Sequence, residues 1–163
     1  MNLTALNQLS REAFVERLGW VFEHSPWVAE QTWEYRPWPS LEALHQSMVQ
    51  VVKAAPLEAQ LALIRAHPDL GSRVRMAQAS VVEQKSAGLD ALTPAELERI
   101  QRLNRAYTDR FGFPFILAVR GKTKAEIFKA MEERLLNPPD LEFETALEEI
   151  YKIARFRLAD LLS

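Results

Sequence analysis

The chain has 163 residues, 48% of them hydrophobic and 26% charged, which suits a globular domain able to bury a sizeable core and lies far from disordered or collagen-like compositions. With 20 basic and 22 acidic side chains the formal net charge is -2, so no global positive field favours nucleic acid or an anionic membrane as partner. The absence of cysteine excludes disulfides, thiolate nucleophiles, iron–sulfur clusters and cysteine-ligated zinc.

Strong helix formers dominate: 22 Leu, 21 Ala and 17 Glu stand against 16 Val plus Ile, and only 5 Gly interrupt them. This predicts an all-α fold, a single-domain bundle of about eight helices with orthogonal packing. The N-terminus has no basic region followed by an apolar run, and no stretch reaches the ~18 apolar residues of a membrane span, so a cytoplasmic location is expected. In chain order, helices are expected near 10–22, 26–34, 40–54 and 56–65, the second opened by Ser25-Pro26. Ala66-His67-Pro68-Asp69-Leu70-Gly71 then breaks the pattern, because Pro68 drives His67 out of helical dihedrals and holds its imidazole on a stiff turn. A helix over 80–87 begins with Ser80-Val81-Val82-Glu83, and one over 93–110 with Thr93-Pro94-Ala95-Glu96.

Residues 111–121 form the most apolar stretch, with two glycines and a proline, and do not read as helix. Thr123-Lys124-Ala125-Glu126 opens a helix over 123–136, Pro138-Pro139 stops it, and Asp140 is expected to cap a last helix over 140–161. Phe143, Leu147, Ile150, Tyr151, Ala154, Leu158 and Leu161 recur there at spacings of three and four, marking an apolar face for the core or an oligomer contact.

Ligand supply argues against a metal site: the histidines are His24, His45 and His67, none three or four residues from another, and Glu42-Ala43-Leu44-His45 is a single Glu-x-x-His pair. Gly121-Lys122-Thr123 ends like a phosphate loop, but Ile116 stands where that loop needs its first glycine. Neither G-x-G-x-x-G nor G-x-S-x-G occurs. A small polar set remains: His67, Ser80, Glu83, Gln84 and Arg120. Each has an ordinary alternative, namely a helix-end histidine, a Ser-x-x-Glu capping box, a surface glutamine and a structural ion pair. Arg120 ends the uncharged run 111–119, which suits either an ion pair or an anion site. By themselves these residues support a helical domain with a cofactor-free acid–base site for a small anion.

Together, Ala66-His67-Pro68-Asp69-Leu70-Gly71, Glu83-Gln84-Lys85-Ser86-Ala87-Gly88-Leu89 and Phe111-Gly112-Phe113-Pro114-Phe115-Ile116-Leu117-Ala118-Val119-Arg120-Gly121 closely resemble one family. It is the 2-oxo-4-hydroxy-4-carboxy-5-ureidoimidazoline (OHCU) decarboxylases of urate breakdown. Arg102-Leu103-Asn104-Arg105-Ala106-Tyr107, Ser25-Pro26-Trp27-Val28-Ala29-Glu30 and Arg36-Pro37-Trp38 extend the resemblance over most of the chain. It implies an all-α homodimer, no metal or organic cofactor, and conversion of OHCU to (S)-allantoin with loss of carbon dioxide. Carried over, His67 matches the catalytic histidine and Glu83 its partner acid. Ser80, Gln84 and Arg120 match substrate-binding side chains, and Pro68 with Phe115, Ile116, Leu117, Ala118 and Val119 would line the pocket. Main-chain groups from Ile116 to Ala118 are expected to read the substrate's amides. Two other readings stand beside this one: a non-catalytic helical adaptor, and a lyase or hydrolase acting on a related ureide.

Overall fold

The computed structural model describes residues 1–70 and 92–162. Among these the expected all-α class holds, with eight α-helices, one 3-10 turn and no strand: α1 (Leu3–Asn7), α2 (Arg11–Leu18), α3 (Trp27–Thr32), the turn Trp33–Tyr35, α4 (Leu41–Ala54), α5 (Leu57–Ala66), α6 (Pro94–Phe111), α7 (Lys124–Arg134) and α8 (Pro139–Leu162). None of the described helices is long and apolar enough to cross a membrane. The helix expected over 80–87 lies outside the described residues.

Most helix starts follow from local chemistry. Thr93 and Thr123 each accept the backbone N–H three residues on, while Glu96 and Glu126 reach back to the Thr N–H, closing the two expected capping boxes. Both carboxyls are held below the usual glutamate range, first by the backbone N–H each accepts. Asn2, Ser10 and Ser40 cap α1, α2 and α4 in the same way.

Several expected boundaries are corrected. Helix α1 is too short to show an apolar period and was not foreseen. The expected 10–22 helix ends at Leu18, after which Val21 and Phe22 are buried from a turn. The expected 26–34 helix is α3 followed by the 3-10 turn, because Pro37 holds Arg36 extended at ψ 158°. Ser25 is no cap: its buried hydroxyl donates to the Glu23 carbonyl. Asp140 does not cap the last helix either, since that helix already begins at Pro139 and Asp140 sits inside its first turn.

The chain forms two compact units, Met1–Ala66 with Ile150–Ser163, and His67–Glu149. In the first, α3 packs on α2 and α4 around Leu6, Phe14, Leu18, Leu44, Met48 and Leu63. Trp38 stacks on Phe14 and donates its indole N–H to Ser47, while Asn7 exchanges hydrogen bonds with its main chain at 2.9 and 3.0 Å. Residues 150–162 complete this core with Ile150, Ile153, Ala154 and Leu158, and Arg157 donates to the Trp20 and Val21 carbonyls and pairs with Glu23.

The second unit contains α6, α7, the N-terminal part of α8 and the non-helical run that follows Gly112. Gly112 ends α6 in the left-handed region at φ 77°, a C-terminal position that glycine fills without a Cβ penalty. Its core joins Ile100 and Tyr107 to Phe113, Phe115, Val119, Ile127, Met131 and Ala146.

Candidate active site

All the described candidate residues fall in the second unit. Helix α5 closes at Ala66, and the chain bends at His67 before Pro68 and Asp69, as the His-Pro step requires. The result is a histidine only 5% exposed, which removes the solvent-facing alternative. The other two histidines have different surroundings. His24 sits exposed in the left-handed region at φ 46°, and His45 donates from Nε2 to the Tyr151 carbonyl at 2.8 Å.

Pro68 and Arg120 are half-buried, while Phe115, Ile116, Leu117, Ala118 and Val119 are all buried. Ser80, Glu83 and Gln84 lie outside the described residues, so the expected partner acid and two of the expected substrate contacts have no geometry here.

The run through residues 113–119 poses a hydrogen-bonding problem, because it is buried, non-helical and without a partner strand among the described residues. Charged side chains supply part of the solution. Arg134, at the end of α7, donates from Nη1 to the Ile116 carbonyl at 2.6 Å, and Glu149, on α8, accepts the Ala118 N–H at 3.0 Å. Arg134 is balanced in turn by Glu142, which takes its Nε at 2.8 Å, the Asn137 amide at 2.9 Å and the Tyr107 hydroxyl. Burial first, and then the bond to Glu142, pushes the Tyr107 phenol far above its ordinary pKa, so it serves as a neutral donor. The Arg134 guanidinium also lies over the Phe115 ring, 4.4 Å from its centroid.

The Ile116 carbonyl and the Ala118 N–H, two of the main-chain groups expected to read the substrate, thus also serve as anchor points for α7 and α8. The sequence reading missed Arg134, Glu142 and Glu149 because charged residues on helices ordinarily face water. Their spacing was the available signal, since Arg134 continues the buried row Ile127, Met131, and Glu142 and Glu149 share a face with Ala146 and Ile153.

Beyond Val119 the chain turns sharply. The Lys122 N–H donates to the Val119 carbonyl at 3.0 Å, with Arg120 and Gly121 as the central pair and Gly121 at φ 83°. A positive φ at the second central residue is the demand of a type II turn, which glycine meets. Nothing lies within 4 Å of where a Gly121 Cβ would stand, so the requirement there is conformational and not steric.

A groove in the first unit, lined by Gln31, Tyr35, Gln46, Gln50 and Ala54 among others, includes no carboxylate, imidazole or cation. It offers nothing for acid–base chemistry at neutral pH.

A family model described as OHCU decarboxylase matches residues 7–159. The chain belongs to the OHCU decarboxylase family. It is 49% identical over 156 residues to the 2-oxo-4-hydroxy-4-carboxy-5-ureidoimidazoline decarboxylase of Halalkalicoccus jeotgali, covering 96% of this chain and 89% of that protein. Identity to the uric acid degradation bifunctional protein PucL of Bacillus subtilis is 51% over 158 residues, 97% of this chain but 32% of that one. This OHCU decarboxylase homologue thus spans about a third of the length of its bifunctional relative and most of the length of the other. A crystal structure of (S)-allantoin synthase superposes with a TM-score of 0.80 at 33% identity, covering 99% of this chain and 54% of that chain.

Proposed function

We propose that this chain decarboxylates OHCU to (S)-allantoin, with His67 and Glu83 catalytic. The observation that carries the reading is His67 itself, the family's catalytic position, here a buried imidazole on a proline-stiffened bend in the unit that also presents Arg120.

The substrate's own structure removes the need for a cofactor. Its carboxylate is β to a ring C=N, so the bond to carbon dioxide can break with its electron pair forming a C=C toward the ureido-bearing carbon while the ring nitrogen takes up a proton. The enol then collapses to a carbonyl as its hydroxyl proton leaves and a proton is added to the ureido-bearing carbon. Net, one proton replaces carbon dioxide. Delivery of that proton from one face sets the handedness of the product.

His67 handles the proton at the hydroxyl or at the re-protonated carbon, since an imidazole can both accept and donate a proton. Glu83 orients the ring and stabilises its charged form. Arg120 holds ring oxygens or the carboxylate as a positioning group, because a tighter grip on the departing carboxylate would stabilise the ground state and slow its loss. Ser80 and Gln84 read the ureido and ring amides, and Pro68 with residues 115–119 forms the apolar wall. We also infer a single catalytic domain that works as a cytoplasmic homodimer.

The test is circular dichroism of OHCU made in place from urate, with the parent chain or His67→Ala. Rapid growth of the (S)-allantoin signal with the parent, reduced by on the order of 100-fold or more in the variant, is expected. A spontaneous rate and racemic product in both samples would overturn the reading, and sedimentation equilibrium decides the dimer.

A further inference from the structure

We infer that Glu149 is a positioning residue for this reaction, acting on substrate through Arg120. The inference rests on the function proposed above and on Arg120 as the substrate anchor.

Arg120 stands at the end of a run pinned from two directions. Downstream, the Val119–Lys122 turn closes at 3.0 Å around Gly121, and the Thr123 capping box, at 3.0 and 3.2 Å, fixes the start of α7 immediately afterwards. Upstream, the nearer anchor is Glu149, which takes the Ala118 N–H at 3.0 Å two residues before Arg120. The second upstream anchor, Arg134 on the Ile116 carbonyl, lies four residues away and shares its guanidinium with Glu142.

Both Ala118 and Glu149 are buried, so water cannot take over this N–H in the folded chain. A carboxylate is an apt partner because it only accepts and offers no competing donor. Without it the run from Ala118 loses its nearer upstream anchor, and a shift there reaches Arg120, two positions on and the first residue beyond the buried stretch. A shift of about 1 Å in a positioning group is enough to cost on the order of 100-fold in rate. Glu149 need not touch the substrate for this to happen.

The experiment is a double-mutant cycle between positions 149 and 120, read as kcat and KM on freshly generated OHCU, with melting curves for every variant. Glu149→Ala is expected to raise KM by roughly 10-fold, while Glu149→Gln, whose amide oxygen can still accept the Ala118 N–H, stays within a few-fold of the parent. In an Arg120→Ala background the Glu149→Ala effect on KM should vanish, because the group it positions is gone. A role confined to stability predicts otherwise: a lower melting temperature, with KM unchanged or multiplied by the same factor in both backgrounds. Either result overturns the inference. Should Glu149→Ala fail to fold, Glu149→Asp keeps the charge, shortens the reach by one methylene and carries the same cycle. An inactive parent would sink the proposed function and this inference with it, whereas an active parent with additive variants would sink this inference alone.

Discussion

Glu142→Leu tests the buried network most directly. Glu142 is 0% exposed and accepts from Arg134, Asn137 and Tyr107, and Arg134 is itself only 7% exposed. Removing the carboxylate leaves a guanidinium in the interior without its counter-charge, a loss of about 3–5 kcal/mol. A domain of this size has a total stability of about 5–15 kcal/mol, and each kcal/mol moves its melting temperature by about 2–4 °C. The variant should therefore melt roughly 10–15 °C lower. The paired change Arg134→Met with Glu142→Leu removes both charges and should recover most of that loss, because well-packed apolar side chains often match a buried ion pair. It should not restore substrate handling, since replacing Arg134 takes away the donor to the Ile116 carbonyl. Urea unfolding followed by far-ultraviolet circular dichroism measures all three proteins. A cost under about 1 kcal/mol for the single change, or a pair no more stable than the single, would refute the reasoning.

Gly121→Ala meets no steric obstacle, so its cost of about 1–2 kcal/mol would come from the left-handed backbone alone; melting curves and KM should both worsen, and unchanged values would show that the turn does not depend on glycine. Asn104 is 4% exposed and, among the described residues, neither its amide nitrogen nor its oxygen is hydrogen-bonded, so Asn104→Leu should raise stability by about 1 kcal/mol, and a comparable loss in urea unfolding would contradict this. Burial lowers the His45 pKa more than its bond to the Tyr151 carbonyl raises it, with the Arg155 charge lowering it further. A depressed folded value means that this residue's contribution is complete above the unfolded value of about 6.5 and is lost as pH falls through the folded one. His45→Gln, which keeps an N–H donor for the carbonyl, should flatten that part of the slope in melting curves taken from neutral to mildly acidic pH.

The features legible in the sequence were those written in local chemistry. Thr93-Pro94-Ala95-Glu96 and Thr123-Lys124-Ala125-Glu126 specify their helix starts within four residues, and Pro68 and Gly112 end the helices that precede them. His67 was legible as a constrained imidazole, though not its burial, which depends on residues distant in the chain. Arg134, Glu142 and Glu149 were illegible for a related reason. A buried charge is affordable only with its partners in place, and those partners are the Ile116 carbonyl, the Tyr107 hydroxyl and the Ala118 N–H, between 18 and 35 positions away. Ser25 and Asp140 erred the other way, because residue types that favour helix starts take other roles once tertiary contacts shift the boundary.

The division of the chain into two units sets an order of assembly. His67–Glu149 is one uninterrupted stretch whose contacts can form as soon as it leaves the ribosome, whereas Met1–Ala66 must wait for Ile150 and the residues after it. Arg157 shows the span involved, reaching back 137 positions to the Trp20 carbonyl. The first helices made are thus the last to be completed, because Ile150, Ile153, Ala154 and Leu158 join their core only at the end of translation. Synthesis of this protein therefore completes last the unit that carries none of the proposed catalytic residues.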